Sequence, residues 1–149
     1  MMINKSISFS MILGCAFLVL AAMFSSCASR KPVMVTPDKS FSTIEWTSEE
    51  LAQDIAIHTL TVTPEASYHL IRLNRSEKPH VHDTHDLVIV ITQGKMRFHW
   101  KDRSLDLAPG DVIEIPRGTV HWGEKVTSES PEIYAVVTPP FDGKDQREV

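Results

Sequence analysis

From residue 56 to residue 140 the chain is written in short apolar stretches, each broken off by proline, glycine or a polar turn. "AIHTLTVT" (56–63) alternates and stops at Pro64, and "SYHLIRLN" (67–74) alternates again. "LVIVITQG" (87–94) is a continuous β-branched run ended by Gly94. "KMRFHW" (95–100) precedes the turn "KDRS", and "LDLAPGD" turns at Pro109 and Gly110. "VIEIPRG" (112–118) stops at Pro116, and "EIYAVVTPP" (132–140) is the last clear segment. Stretches of this length suit strands better than helices, and a period of two puts alternate side chains on one face. Seven such segments with turn signals between them predict an all-β domain, a barrel or a double-sheet sandwich. "TSEELAQDI" (47–55) reads as one short helix, with Thr47 or Ser48 as N-cap and Glu50 in its first turn.

The first thirty residues do not belong to this pattern. Lys5 is the only charge before Arg30, and "MILGCAFLVLAAMF" (11–24) is apolar throughout. A basic start, an apolar run and then small residues make the pattern of a secretory leader. The small residues are "SSCAS", with Ser25 and Ser26 before Cys27. This resembles the lipobox of bacterial lipoproteins, although Phe24 sits where leucine is usual. The resemblance implies that the Cys27 thiol is lipidated and becomes the new N-terminus. Cys15, inside the apolar run, leaves too short a segment before it. The expected organisation is a leader over 1–26, a flexible tether over 27–43 rich in proline and poor in apolar periodicity, and one domain over 44–149. Two alternatives are an ordinary cleaved leader and an uncleaved anchor. A span needs about 18 apolar residues, and Ile7 to Phe24 reaches that only with Ser8 and Ser10 counted in. A lipid would place the domain on a non-cytoplasmic membrane face. Ala28 in place of an aspartate after the cysteine points to the outer membrane or cell surface.

Cleavage before Cys27 leaves 149 − 26 = 123 residues and removes Lys5, moving the net charge from −4 to −5. A mildly acidic domain argues against nucleic acid as a partner. No cysteine follows Cys27. Disulfides therefore cannot hold the fold, and burial of a core must do so alone.

The chemistry concentrates in "HVHDTHDL" (80–87). His80 and His82 are two apart, so on a strand both imidazoles face one side, about 6.5–7 Å apart along the chain. Two ligands hold a metal poorly, and a third must come from elsewhere. His121 is the candidate, because it follows the turn Pro116-Arg117-Gly118, which aims it back into the domain.

These two segments together resemble the two motifs of the cupin superfamily. The first, His-x-His followed by a carboxylate and then glycine, reads "HVHDTHDLVIVITQG", with His80, His82 and Gly94 in place. The second, Gly-x5-Pro-x-Gly-x2-His, is matched by Gly110, Pro116, Gly118 and His121. Fifteen residues separate Gly94 from Gly110, a length typical of small cupins. The motifs span residues 78–125, and the resemblance implies a cupin-type β-barrel or double-sheet jelly roll. It also implies one divalent metal ion (Fe, Mn, Zn or Ni) on His80, His82 and His121. Two departures stand out. Leu87 occupies the place of the usual liganding glutamate, and Lys125 that of the closing asparagine.

A fourth ligand is left open between three readings: none, Asp86, or His85. Asp86 shares the parity of His80 and His82 along an unbroken strand. Leu87, Ile89 and Ile91 alternate equally well as an inward set, and a turn or bulge across "DTHD" would bring in either side chain. His58, His69 and His99 read as ordinary barrel positions. Glu114 reads as solvent-facing, Trp100 and Trp122 as core or rim, and "PPFDGKD" (139–145) as a closing segment without chemistry.

Functionally, a facial histidine set leaves coordination positions open. It suits a dioxygenase with iron, or an isomerase, lyase or hydrolase with zinc or manganese. No catalytic acid–base pair with the histidines is recognisable among Lys78, Lys125, Tyr68 and Glu114. The leading expectation is a lipid-anchored metalloenzyme for a small molecule. The second is a non-catalytic module that binds a ligand or metal at the membrane surface. Homodimers through shared edge strands are compatible with a short barrel.

Overall fold

A computed structural model describes residues 44–149 and, before them, the backbone of a two-stranded antiparallel ladder, β1 (Met34–Val35) against β2 (Ser40–Phe41). The expected leader over 1–26 and the lipidation at Cys27 lie outside the described residues, as does the tether apart from that ladder. Helix α1 (Ser48–Ala52) starts at Thr47. The Thr47 hydroxyl accepts the Glu50 N–H and the Glu50 carboxylate accepts the Thr47 N–H, a reciprocal capping box.

Ten strands follow: β3 (Ile55–Val62), β4 (Ser67–Leu73), β5 (His80–Val81), β6 (Asp86–Gln93), β7 (Met96–Trp100), β8 (Arg103–Leu107), β9 (Val112–Ile115), β10 (His121–Lys125), β11 (Glu132–Thr138) and β12 (Arg147–Glu148). They form two five-stranded antiparallel sheets. One runs β3-β4-β11-β6-β9 and the other β12-β5-β10-β7-β8. The all-β cupin-type architecture expected from the sequence is the one observed.

Alternation decides which side chains fill the space between the sheets. On β6 Leu87, Ile89 and Ile91 are buried while Val88 is exposed. The ladder continues this face across neighbouring strands. Val137, Leu87 and Ile115 form one row, and Ala135, Ile89 and Ile113 the next. All six are buried, and from the opposite sheet Met96, Phe98 and Leu107 close against them. Glu114, between two buried isoleucines, is exposed as expected. Strand pairing then places the site. β10 pairs with β5 so that His121 stands opposite His80. Gly118, at a φ of 75° that suits glycine, donates its N–H to the His82 carbonyl at 2.7 Å, docking the Pro-x-Gly turn on the first motif.

Candidate metal centre

His80, His82 and His121 are buried, and one nitrogen of each lies within 4.8 Å of those of the other two. The ring centroids are 4.4 Å (His80–His121), 5.2 Å (His80–His82) and 5.5 Å (His82–His121) apart. Each ring has its Nδ1 against a backbone carbonyl. His80 meets Lys78 O at 2.9 Å, His121 meets Thr119 O at 2.9 Å, and His82 meets Asp145 O at 2.6 Å. A carbonyl only accepts, so each Nδ1 carries the proton and each Nε2 is left with a lone pair. Burial pushes the pKa of His82 down and that of His121 down to about 4, so both stay neutral at physiological pH. Neutral imidazoles fixed in one tautomer by the outer nitrogen are the donor set that a divalent transition metal requires. The residues therefore fit the metal that the motifs imply, with further coordination positions left open.

Neither candidate for a fourth ligand joins this group. The inward face of β6 is taken by Leu87, Ile89 and Ile91, so Asp86, one residue earlier, turns outward. There it meets the guanidinium of Arg117 through both carboxylate oxygens and accepts the Arg117 N–H at 2.8 Å. Those hydrogen bonds hold its pKa down to about 2. We expect Asp86→Ala to keep the metal stoichiometry of the parent by elemental analysis, and a loss of metal would return Asp86 to the site. A depressed carboxylate stabilises the fold above its unfolded pKa near 3.8 and loses that contribution as pH falls through about 2. Chemical denaturation of the parent and of Asp86→Asn should therefore differ near neutrality and converge at the acid end.

His85 is buried, but its Nδ1 faces the Asp145 carboxylate at 2.5 Å and its Nε2 the Pro140 carbonyl at 3.2 Å. With both nitrogens engaged by protein, it lies outside the group of three. Its partner comes from the closing segment to which the sequence assigned no chemistry. The Asp145 carboxylate also accepts the N–H groups of Asp83, Thr84 and His85, while its own carbonyl orients His82. Burial raises the Asp145 pKa, but hydrogen bonds from His85, Thr84 and Asp83 outweigh it and hold the carboxyl well below the usual range. β12 then pairs with β5, Glu148 opposite His80, with ion pairs Lys78–Glu148 and Arg147–Asp83 outside. Asp145→Ala is expected to weaken metal binding about 10- to 100-fold, the range for partners that orient a ligand. Competition with a chromogenic chelator would measure this. Unchanged affinity would show that the carbonyl keeps its place without the carboxylate.

A cavity of about 110 Å³ opens onto the histidines. Its wall is mainly Ile, Leu, Val, Met and Phe, and its polar groups are the three histidines, His69, Glu77 and Gln146. Among the described residues no lysine or arginine lines it. His69 is thus more than an ordinary barrel position. Ser67 and Thr59 hydroxyls hold its two ring nitrogens at 2.8 and 3.2 Å, and burial lowers its pKa. His58, edge-on to Trp46, and His99, stacked on Trp122, lie away from the cavity wall. Phe141 stands over His69, His82 and His85. Glu77 was not legible as a site residue: "SEKP" carries no more than a turn signal.

The model of the cupin domain family matches residues 69–137. An uncharacterised protein of Aquifex aeolicus (strain VF5) is 35% identical over 97 residues, 65% of this chain and 79% of that protein. Among solved structures, KdgF from Halomonas sp. aligns with a TM-score of 0.57 at 24% identity, covering 66% of this chain and 91% of its own. Pac13 from Streptomyces, solved with uridine and described as a nucleoside dehydratase, aligns with a TM-score of 0.56 at 20% identity, covering 73% and 92%. At these identities the two structures speak for the fold. With the motifs, the paired sheets and the three converged histidines, residues 69–137 form a cupin domain.

Proposed function

We propose that this protein is a metal-dependent cupin enzyme for a small molecule, of dioxygenase or isomerase type, tethered by a lipid on Cys27 to a non-cytoplasmic membrane surface. The observation that carries the metal reading is the shared state of the three histidines, each with Nδ1 donated to a carbonyl and Nε2 turned to a common point. A divalent ion there would supply a Lewis acid for a carbonyl or water, or, as iron, a site for oxygen. The chain does the rest. The histidines fix the geometry, the aliphatic wall excludes water, and Phe141 with the closing segment covers the ligand set.

Elemental analysis of protein purified without chelator or nickel resin should find about one equivalent of metal per chain, as a single three-ligand site requires. No metal, even after reconstitution, would overturn the reading. The metal found then selects the assay: oxygen consumption for iron, isomerase and hydrolase screens for zinc or manganese. The tether is supported by "SSCAS" behind the apolar run. It fails if inhibition of signal peptidase II accumulates no precursor. One observation favours capture without turnover, namely Leu87 in place of the usual carboxylate. A ligand that raises the melting temperature and is never converted would establish that second reading.

A further inference from the structure

Glu77 lies outside both motifs and outside the group of three histidines, yet its side chain lines their cavity. The residue is partly exposed. Two hydrogen bonds clamp it to β10, two residues beyond His121. The Glu77 N–H donates to Gly123 O at 2.8 Å, and the Gly123 N–H donates to Glu77 Oε2 at 2.6 Å. Position 123 leaves room for this. A Cβ there would stand 2.5 Å from Met96 Cε, 3.1 Å from Glu77 Oε2 and 3.2 Å from Leu73 Cδ2. Among the described residues none hydrogen-bonds Glu77 Oε1. One oxygen is anchored and the other is left without a hydrogen bond, and among the described residues lining the cavity there is no second carboxylate, lysine or arginine.

A carboxylate oxygen at the wall of a mainly apolar cavity is an acceptor for a ligand hydroxyl or N–H. An anionic group in the same place would meet the carboxylate, which offsets part of the pull of a divalent ion on the histidines. We propose that Glu77 is a ligand-contacting residue. Its Oε1 accepts a hydrogen bond from a small, uncharged molecule whose apolar part lies along Leu87, Ile89, Ile115 and Val137. Glu77 thereby sets the selectivity of the site for uncharged, donor-bearing ligands over polyanions such as sugar phosphates and dicarboxylates.

The inference rests on the metal reading above, and its test separates the two. The zinc-loaded full chain is titrated calorimetrically at pH 8 with imidazole, which binds zinc as the neutral molecule and keeps an N–H donor, and with oxalate, a dianion. Glu77→Gln keeps an oxygen for the Gly123 N–H and removes the charge and the free acceptor. It should hold zinc as the parent does, bind imidazole about tenfold more weakly and bind oxalate more tightly, the scale of one hydrogen bond to a charged group. Equal changes for both probes, or none, overturn the proposal, and so does loss of zinc from Glu77→Gln, which would make Glu77 a support of the metal. A parent that binds no zinc would instead sink the metal reading. Should Glu77→Gln fail to fold, Glu77→Asp decides. With its charge kept and its oxygen withdrawn by one methylene, it must weaken imidazole and leave oxalate unchanged, and any other pattern overturns the proposal.

Discussion

The double variant His80→Ala, His121→Ala is expected to purify without metal where the parent carries about one equivalent. The two residues face each other across the β5–β10 pair, with rings 4.4 Å apart, so one substitution pair removes two of the three converged nitrogens. His82 alone cannot hold a divalent ion against water. Asp86 and His85 cannot replace the lost ligands, being occupied by Arg117 and by Asp145 and Pro140. Thermal unfolding supplies an independent readout. A metal bound only by the native state stabilises it by about 2.7 kcal/mol at a hundredfold excess over Kd. Added metal should thus raise the melting temperature of the parent and leave the variant unmoved. Metal retained by the variant would place the site elsewhere in the molecule.

Phe98→Ala is expected to cost about 3–5 kcal/mol of stability, the range for deleting a buried aromatic ring. Phe98 is 2% exposed, meets Trp100 edge-on at 4.9 Å and lies nearly parallel to the His121 ring at 5.9 Å and 27°. It belongs to the central core and to the cavity wall at once. At about 4–8 °C per kcal/mol for a domain of this size, the melting temperature should fall by more than roughly 10 °C. Phe98→Leu should recover part of the loss. A drop of only a degree or two would mean that the two sheets close over the gap.

The strands were legible wherever their own pattern repeats. Leu87, Ile89 and Ile91 or Ile113 and Ile115 announce an inward face without help from elsewhere. β5, β10 and β12 carry no such pattern. "HWGEK" and "RE" become strands only because a partner strand lies beside them. The three histidines could be read from strand spacing and from the Pro-x-Gly turn before His121. Whether Asp86 or Leu87 faces inward could not, since parity within "HVHDTHDL" admits both and the ladder of β6 with β9 and β11 turns Leu87 in. His85, Asp145 and Glu77 take their roles from contacts 46 to 63 residues away along the chain, where local pattern carries no information. The capping box at Thr47 is the opposite case, complete within four residues.

The clasp at residues 145–148 sets an order of events during synthesis. The carbonyl that orients His82 belongs to Asp145, and the strand flanking His80 is Arg147–Glu148. A nascent chain that has emerged only through residue 121 holds all three histidines without the contacts that present His82 to a cation. The contact that orients His82 spans some sixty residues, so it can form only once residue 145 is available. Metal capture would then wait on residues 145–148, the last of the segments that surround the histidines.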